Sequence, residues 1–274
     1  MRWKYTPEFY DELEEGAYRS ALAILTRLFR LHKPKSVVDV GCGRGSWLAA
    51  AEILGSTELV GLDGSWVDPD QLMSPNISFK SMDLEKPLPL DGRFDLCLCL
   101  EVAEHISAER SKSLIGSLCG LSDVVVFSAA IPRQGGVNHV NEQWQSTWID
   151  LFNAYEYECF DSIRPYFWES DEVEWWYRQN AFLFVSKQSK LALTIAAHDA
   201  QVAIPDIIHP LNQANKLRWQ RARIDELQDH VNAAGSLVEC LPSVARYFAG
   251  SHPDLARSLL KWVEFPESTG VDQE

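Results

Sequence analysis

"VVDVGCGRGSWL", residues 37–48, decides how this chain is read. Three valines surround an acid, Asp39; glycines follow at 41, 43 and 45, and a helix-forming run resumes after them. A strand that turns through glycines into a helix start offers free backbone N–H groups and bare backbone surface. That suits a dinucleotide, a phosphate or another cofactor equally, so the loop by itself leaves three ligands open.

Outward from the loop, strand-like and helix-like segments alternate. Apolar residues at helical spacing (Phe9, Leu13, Tyr18, Leu22, Leu25, Phe29) predict a helix over 8–31, ended by "HKP". Strands are expected at "SVVDVG", "TELVGLD", "ISFKSMD", "RFDLCLCLE" and "DVVVFSAAIP", with helices at "SWLAAAEILG" and "ERSKSLIGSLCGL". Continuous apolar strands joined by helical crossovers predict an α/β fold with a parallel sheet covered on both faces. Ligands of such sheets sit beyond the carboxyl ends of the strands. Past Pro132 a loop enters a helix, an aromatic-rich stretch follows, and "VEWWYRQNAFLFVSK" ends as a strand. "LNQANKLRWQRARIDELQDHVNAAG", residues 211–235, spaces Leu217, Ile224 and Val231 one heptad apart, which predicts an amphipathic helix packed on the core.

A chain of 274 residues, 46% hydrophobic and 23% charged, can bury a full core. Its formal charge of -14 repels a nucleic-acid backbone and gives no support to binding of anionic membranes. Lys216, Arg218, Arg221 and Arg223 are the one basic cluster in view, and Asp225 and Glu226 balance it as a solvated helix face. The six cysteines lack the paired spacing of a zinc site or the clustering of an iron–sulfur site, and no metal ligand set is assigned. They read as small buried hydrophobes in a reducing cytoplasm. No apolar run approaches the length of a membrane span, so a soluble cytoplasmic protein is expected.

The companion acids narrow the cofactor. A Walker loop needs Lys followed by Ser or Thr after its last glycine, whereas Ser46 and Trp47 follow Gly45. A dinucleotide fingerprint is GxGxxG, and here the third glycine comes one place early. Asp39, two residues before Gly41, would repel a pyrophosphate but can hold the ammonium group of an amino acid. Asp63, ending the next strand, can accept from both ribose hydroxyls, and Asp83 can accept from an adenine amino group. An amino acid, a ribose and an adenine together describe S-adenosylmethionine.

With "VVDVGCGRG", "LVGLD", "MDL" and "FDLCLCLEVAEHI" in this order, residues 33–187 resemble the class I S-adenosylmethionine-dependent methyltransferases. The resemblance implies a Rossmann-like, doubly wound, mostly parallel seven-stranded sheet with helices on both faces. It implies that Asp39, Gly41, Gly43 and Gly45 line the methionine side, with Cys42 and Trp47 in the same loop. Asp63 and Gly64 would meet the ribose, Asp83 and Leu84 the adenine, and Glu101 would close the pocket; S-adenosylhomocysteine would be the product. The expected organisation is a methyltransferase domain over residues 1–205 and a helical C-terminal extension over 206–274. The same glycines and acids also suit a tight turn, turn or helix caps and a solvated strand end.

Methyl transfer asks for alignment and exclusion of water, and for a general base when the acceptor is a hydroxyl. The acceptor-side candidate is "IPRQGGVNHVNEQW", which carries His139 as base or orienting group with Glu142 in support. The competing role for Glu142 or Asn141 is to cap the helix starting near Trp144. His105 in "EVAEHI" ranks second, and Glu104 reads as a helix-start carboxylate. The aromatic stretch around Tyr166–Trp168 and Trp175–Tyr177 is expected mostly to pack, with some rings free to stack on an acceptor. The functional expectation is methyl transfer to a small-molecule or sugar acceptor at oxygen, with a homodimer through the C-terminal helices as the candidate assembly. The alternatives are an NAD-dependent oxidoreductase or epimerase, and a catalytically silent cofactor-binding subunit.

Overall fold

The structure, a computed structural model, describes residues 7–88, 92–199 and 202–248, together with 253, 254 and 257. Side chains of residues 7–14, 231, 234–240, 247 and 248 lie outside the described set, and with them Phe9, Leu13, Val231 and Cys240. One compact unit runs through residue 214 and the other begins at Asn215.

Helix α1 (Pro7–Leu28) leads into β1 (Ser36–Val40), α2 (Ser46–Ile53), β2 (Glu58–Asp63), β3 (Ile77–Ser81) and β4 (Leu96–Leu100). There follow α3 (Ser111–Leu121), β5 (Val124–Ser128), α4 (Gln145–Ala154), β6 (Tyr157–Phe160), α5 (Arg164–Phe167), α6 (Trp175–Asn180), β7 (Phe182–Ser186), α7 (Lys190–Ala196) and α8 (Pro210–Phe248). The seven strands lie in the order β3-β2-β1-β4-β5-β7-β6. Every pairing from β3 to β5 is parallel, and β7 runs antiparallel to both β5 and β6. Strand order reverses between β1 and β4, the switch point at which such sheets open a crevice.

Period-two alternation explains why these segments form buried strands. Val37, Leu96, Leu98, Val124 and Val126 face one core layer, shared with Ile24 and Leu25 of α1 and Leu48 of α2. Val38, Cys97, Cys99, Val125 and Phe127 face the other, shared with Leu114 and Leu118 of α3 and Phe152 of α4. A strand apolar on both faces has no water-facing side, so helices must cover both. The described cysteine thiols, at 42, 97, 99, 119 and 159, are reduced and buried in these layers.

Three expectations change. The strand expected over 93–101 starts only at Leu96, because the Asp95 carboxylate turns aside to accept the N–H groups of Lys35 (2.8 Å) and Ser36 (3.1 Å). "YECF", inside the aromatic stretch, is the edge strand β6 and completes the sheet. Helix α8 runs beyond residue 235, and its Leu217, Ile224 and Leu227 are exposed rather than packed on a core. No helix among the described residues is long and apolar enough to cross a membrane.

Candidate active site

The carboxyl ends of β1, β2 and β4 and the loop after β5 meet at the crevice. Gly41 and Gly43 both have positive φ, +84° and +52°, a region that costs other residues about 1–2 kcal/mol. They do different work. A Cβ on Gly41 would stand 2.2 Å from Cγ2 of Val102, so the backbone must pass close to β4's exit. A Cβ on Gly43 would meet nothing within 4 Å; this is the face of the loop that looks into open space. Gly45 is the left-handed cap that starts α2. Asp63 pins the loop, accepting from Gly43 N–H through Oδ2 (2.8 Å) and from Gly64 N–H through Oδ1 (2.6 Å), with lone pairs left on both oxygens.

Asp39 is 2% exposed, and no hydrogen-bond donor among the described residues reaches its carboxylate. Burial, and then the nearby Asp63 carboxylate, push its pKa up to about 8. A buried carboxyl without a partner is costly, and an ammonium group beside it would relieve both causes. With the open face of Gly43 and the free lone pairs of Asp63, this fits the aminoacyl and ribose ends of S-adenosylmethionine.

The remaining cofactor-side residues differ in placement. Cys42 and Trp47 are buried beneath the loop, the indole N–H of Trp47 donating to Tyr177 Oη at 3.5 Å with the rings edge to face. Gly64 lies under the exposed Trp66, whose ring a Cβ at that position would strike at 2.1 Å. Asp83 is half exposed; its Oδ1 accepts from Glu85 N–H (3.0 Å) and its Oδ2 pairs with Lys86 (3.1 Å), while Leu84 is buried. Asp83 thus holds its own turn at the rim of the crevice.

Glu101 ends β4 in the left-handed region, φ +55°, held by its N–H donating to the carbonyl (3.0 Å) and hydroxyl (3.1 Å) of Ser128. Its carboxylate accepts from Gln134 Nε2 (3.3 Å) and Asn180 Nδ2 (3.4 Å), and Gln179 donates onward to Gln134 (2.9 Å). Burial raises its pKa against these hydrogen bonds. Gln134, Gln179 and Asn180 were not anticipated; the signal for the last two was there in "RQN", polar residues running straight into an apolar strand.

His139 and Glu142 lie together, Nδ1 of His139 3.0 Å from Glu142 Oε1. Glu142 also accepts the N–H groups of Arg133 (2.6 Å) and Gly135 (3.0 Å), so it ties the loop into a closed turn. Neither Glu142 nor Asn141 caps α4. Asp206 does, accepting from the N–H (2.8 Å) and hydroxyl (2.7 Å) of Ser146, while Asn141 is buried and donates to Ala103 and Ser111. The ring of His105 stands edge to face on His139 at 4.8 Å, and partial desolvation, then His139, lower its pKa. Glu104 sits in the short helical turn Ala103–His105, 1% exposed, and burial together with Glu101 raises its pKa well above the carboxylate range. Of the aromatic stretch, Trp148 and Tyr177 are core, while Tyr166 is exposed and lies under the Arg27 guanidinium.

Residues 13–187 match the model of a family described as a methyltransferase domain. The chain belongs to this methyltransferase-domain family, and its fold is that of the class I S-adenosylmethionine-dependent methyltransferases. Over 87 residues it is 41% identical to a probable chloroplastic tocopherol O-methyltransferase of Oryza sativa subsp. japonica, covering 28% of this chain and 24% of the rice protein. Magnesium protoporphyrin IX methyltransferase of Synechocystis PCC 6803, solved with bound SAH, aligns at 18% identity and TM-score 0.47 over 62% of this chain and 81% of its own. Human N-acetylserotonin methyltransferase, in complex with SAM, aligns at 17% identity and TM-score 0.46 over 65% and 55%.

Proposed function

We propose that this chain transfers the methyl group of S-adenosylmethionine to an oxygen of a small-molecule or sugar acceptor. The observation that carries the cofactor half is Asp39, a buried carboxyl without a partner beside the open face of Gly43. In this reading Asp39 takes the ammonium group, Asp63 the ribose hydroxyls, Asp83 and Leu84 the adenine edge, and Glu101 with its Gln134 and Asn180 partners closes the pocket. Bound there, the sulfonium supplies an already activated methyl group.

Acceptor chemistry then falls to the loop after β5. His139, oriented through Nδ1 by Glu142, is placed to accept an acceptor hydroxyl's proton, and Glu142 stabilises the imidazolium that results. The rice relative, named a probable O-methyltransferase, supports oxygen as the methylated atom. The negative charge favours a small or neutral acceptor over nucleic acid. Reduced buried thiols accord with a cytoplasmic setting. Exposed Leu217, Ile224 and Leu227 on α8 support a homodimer, for which light scattering of wild type against Leu217→Glu/Ile224→Glu is the measurement.

Calorimetric titration with S-adenosylhomocysteine and, separately, NAD tests the cofactor assignment: saturable binding of the first alone is expected, and binding of NAD alone would overturn it. His139→Ala is expected to lower kcat by about 100-fold or more with S-adenosylhomocysteine binding intact. Unchanged turnover at saturating acceptor would remove His139 as base, and no turnover by wild type on any hydroxyl acceptor panel would favour the silent-subunit alternative.

A further inference from the structure

Glu104, His105 and His139 converge just beyond the Glu101 carboxylate. One carboxylate oxygen of Glu104 and one ring nitrogen from each histidine lie within 4.8 Å of one another. Both oxygens of Glu104 are buried and neither has a hydrogen-bond partner. A buried carboxyl group with neither oxygen hydrogen-bonded is costly even when protonated, and a cation beside it would displace the proton and satisfy both oxygens.

The histidines are set up to supply the rest of a ligand shell. Nδ1 of His139 lies 3.0 Å from Glu142, and Nδ1 of His105 lies 3.3 Å from the Asn138 carbonyl. Each ring is therefore oriented through one nitrogen with Nε2 left over, the arrangement by which carboxylates and carbonyls fix metal-binding imidazoles. The backbone around the cluster is also unusually constrained. Glu101, Arg133 and Asn138 all hold positive φ, and Val140 and Asn141 donate their N–H groups to the Glu104 carbonyl at 2.8 and 3.0 Å. Strain of this kind persists where the surroundings hold a functional geometry.

We propose that Glu104, His105 and His139 form a divalent-metal site, taking a first-row cation such as Mn²⁺, Co²⁺ or Zn²⁺. One carboxylate with two imidazoles is a borderline ligand set that suits these ions better than the all-oxygen shell of Ca²⁺. An ion bonded at about 2.1 Å holds its ligands roughly 3–3.5 Å apart, so the set closes by rotation of His105 and His139, with Glu104 fixed. Three protein ligands leave coordination positions open toward the crevice. On the methyltransferase reading above, these suit an acceptor oxygen, and the ion, holding His139 through Nε2, would then take over from the free imidazole the activation of the acceptor hydroxyl.

The test uses the full chain stripped with a chelator and titrated with Co²⁺ alone, followed by calorimetry and visible absorption, with S-adenosylhomocysteine titrated into the same stripped sample. Saturable binding of one ion per chain is expected, weakened by about 100-fold or more in His105→Ala, His139→Ala and Glu104→Gln. In wild type, bound Co²⁺ is expected to protect His105 and His139 from diethylpyrocarbonate, read by peptide mass spectrometry, which needs no variant to fold. Absence of saturable binding, binding that every folded variant retains, or unprotected histidines would overturn the site and leave Glu104 sharing a proton with Glu101. S-adenosylhomocysteine binding without Co²⁺ binding would sink this inference and leave the methyltransferase reading standing.

Discussion

At the residue scale the decisive side chain is Asp39. Its pKa of about 8 lies above the ordinary 3.8, so as pH rises the unfolded chain ionises first and the ligand-free fold loses stability through that interval. Above about pH 8 this group costs no more. Asp39→Asn is therefore expected to raise the Tm of the ligand-free protein near pH 8, with the difference from wild type vanishing toward pH 4, as thermal melts across pH will read. The same variant is expected to bind S-adenosylhomocysteine about 10- to 100-fold more weakly, since it loses a charge-assisted hydrogen bond. Binding to wild type near pH 7 should release a proton, visible as a calorimetric enthalpy that changes with the buffer. Asp39 was legible because its spacing from Gly41 sets it at a strand end; the pKa was not, because it depends on Asp63, 24 residues away and brought close only by pairing of β1 with β2.

The β1 to α2 loop shows the element scale. Its glycines look equivalent in sequence, yet Gly41 answers to packing and Gly43 to an open face. Gly41→Ala must hold φ +84° with a Cβ 2.2 Å from Val102, a cost of about 2–5 kcal/mol when backbone strain and overpacking are combined. Gly43→Ala carries only the backbone cost, about 1–2 kcal/mol. Urea melts with S-adenosylhomocysteine titrations will separate them: Gly41→Ala is expected to lose fold and binding together, Gly43→Ala chiefly binding. The loop after β5 was legible in composition but not in closure. Only the fold shows Glu142 gathering Arg133, Gly135 and His139, and Asp206 taking the capping role that Glu142 was a candidate for.

For the whole molecule, the alternating layers that cover both sheet faces also bury the thiols. Burial raises the pKa of Cys42, Cys97, Cys99, Cys119 and Cys159, that of Cys119 to about 12, which removes the reactive thiolate. Native protein is expected to show none of these five reacting rapidly with Ellman's reagent, and all of them after denaturation; fast reaction of Cys97 or Cys99 would contradict the packing of β4. The strands of β1 to β5, their parallel class and the glycine loop were legible because apolar period and turn chemistry are local; the order in which the strands pair was not. Edge strand β6 was not, since four residues among aromatics carry too short a pattern to separate strand from packing. By itself the sequence determined a class I methyltransferase sheet and the acids proposed to face its cofactor, because each of those signals is written within one strand and its turn. Only the tertiary structure decided that Glu104 is buried without a partner and that His105 and His139, 34 residues apart in the chain, share its space. That juxtaposition follows from the pairing of β4 with β5, which lays the two strand-end loops side by side and which no local pattern records.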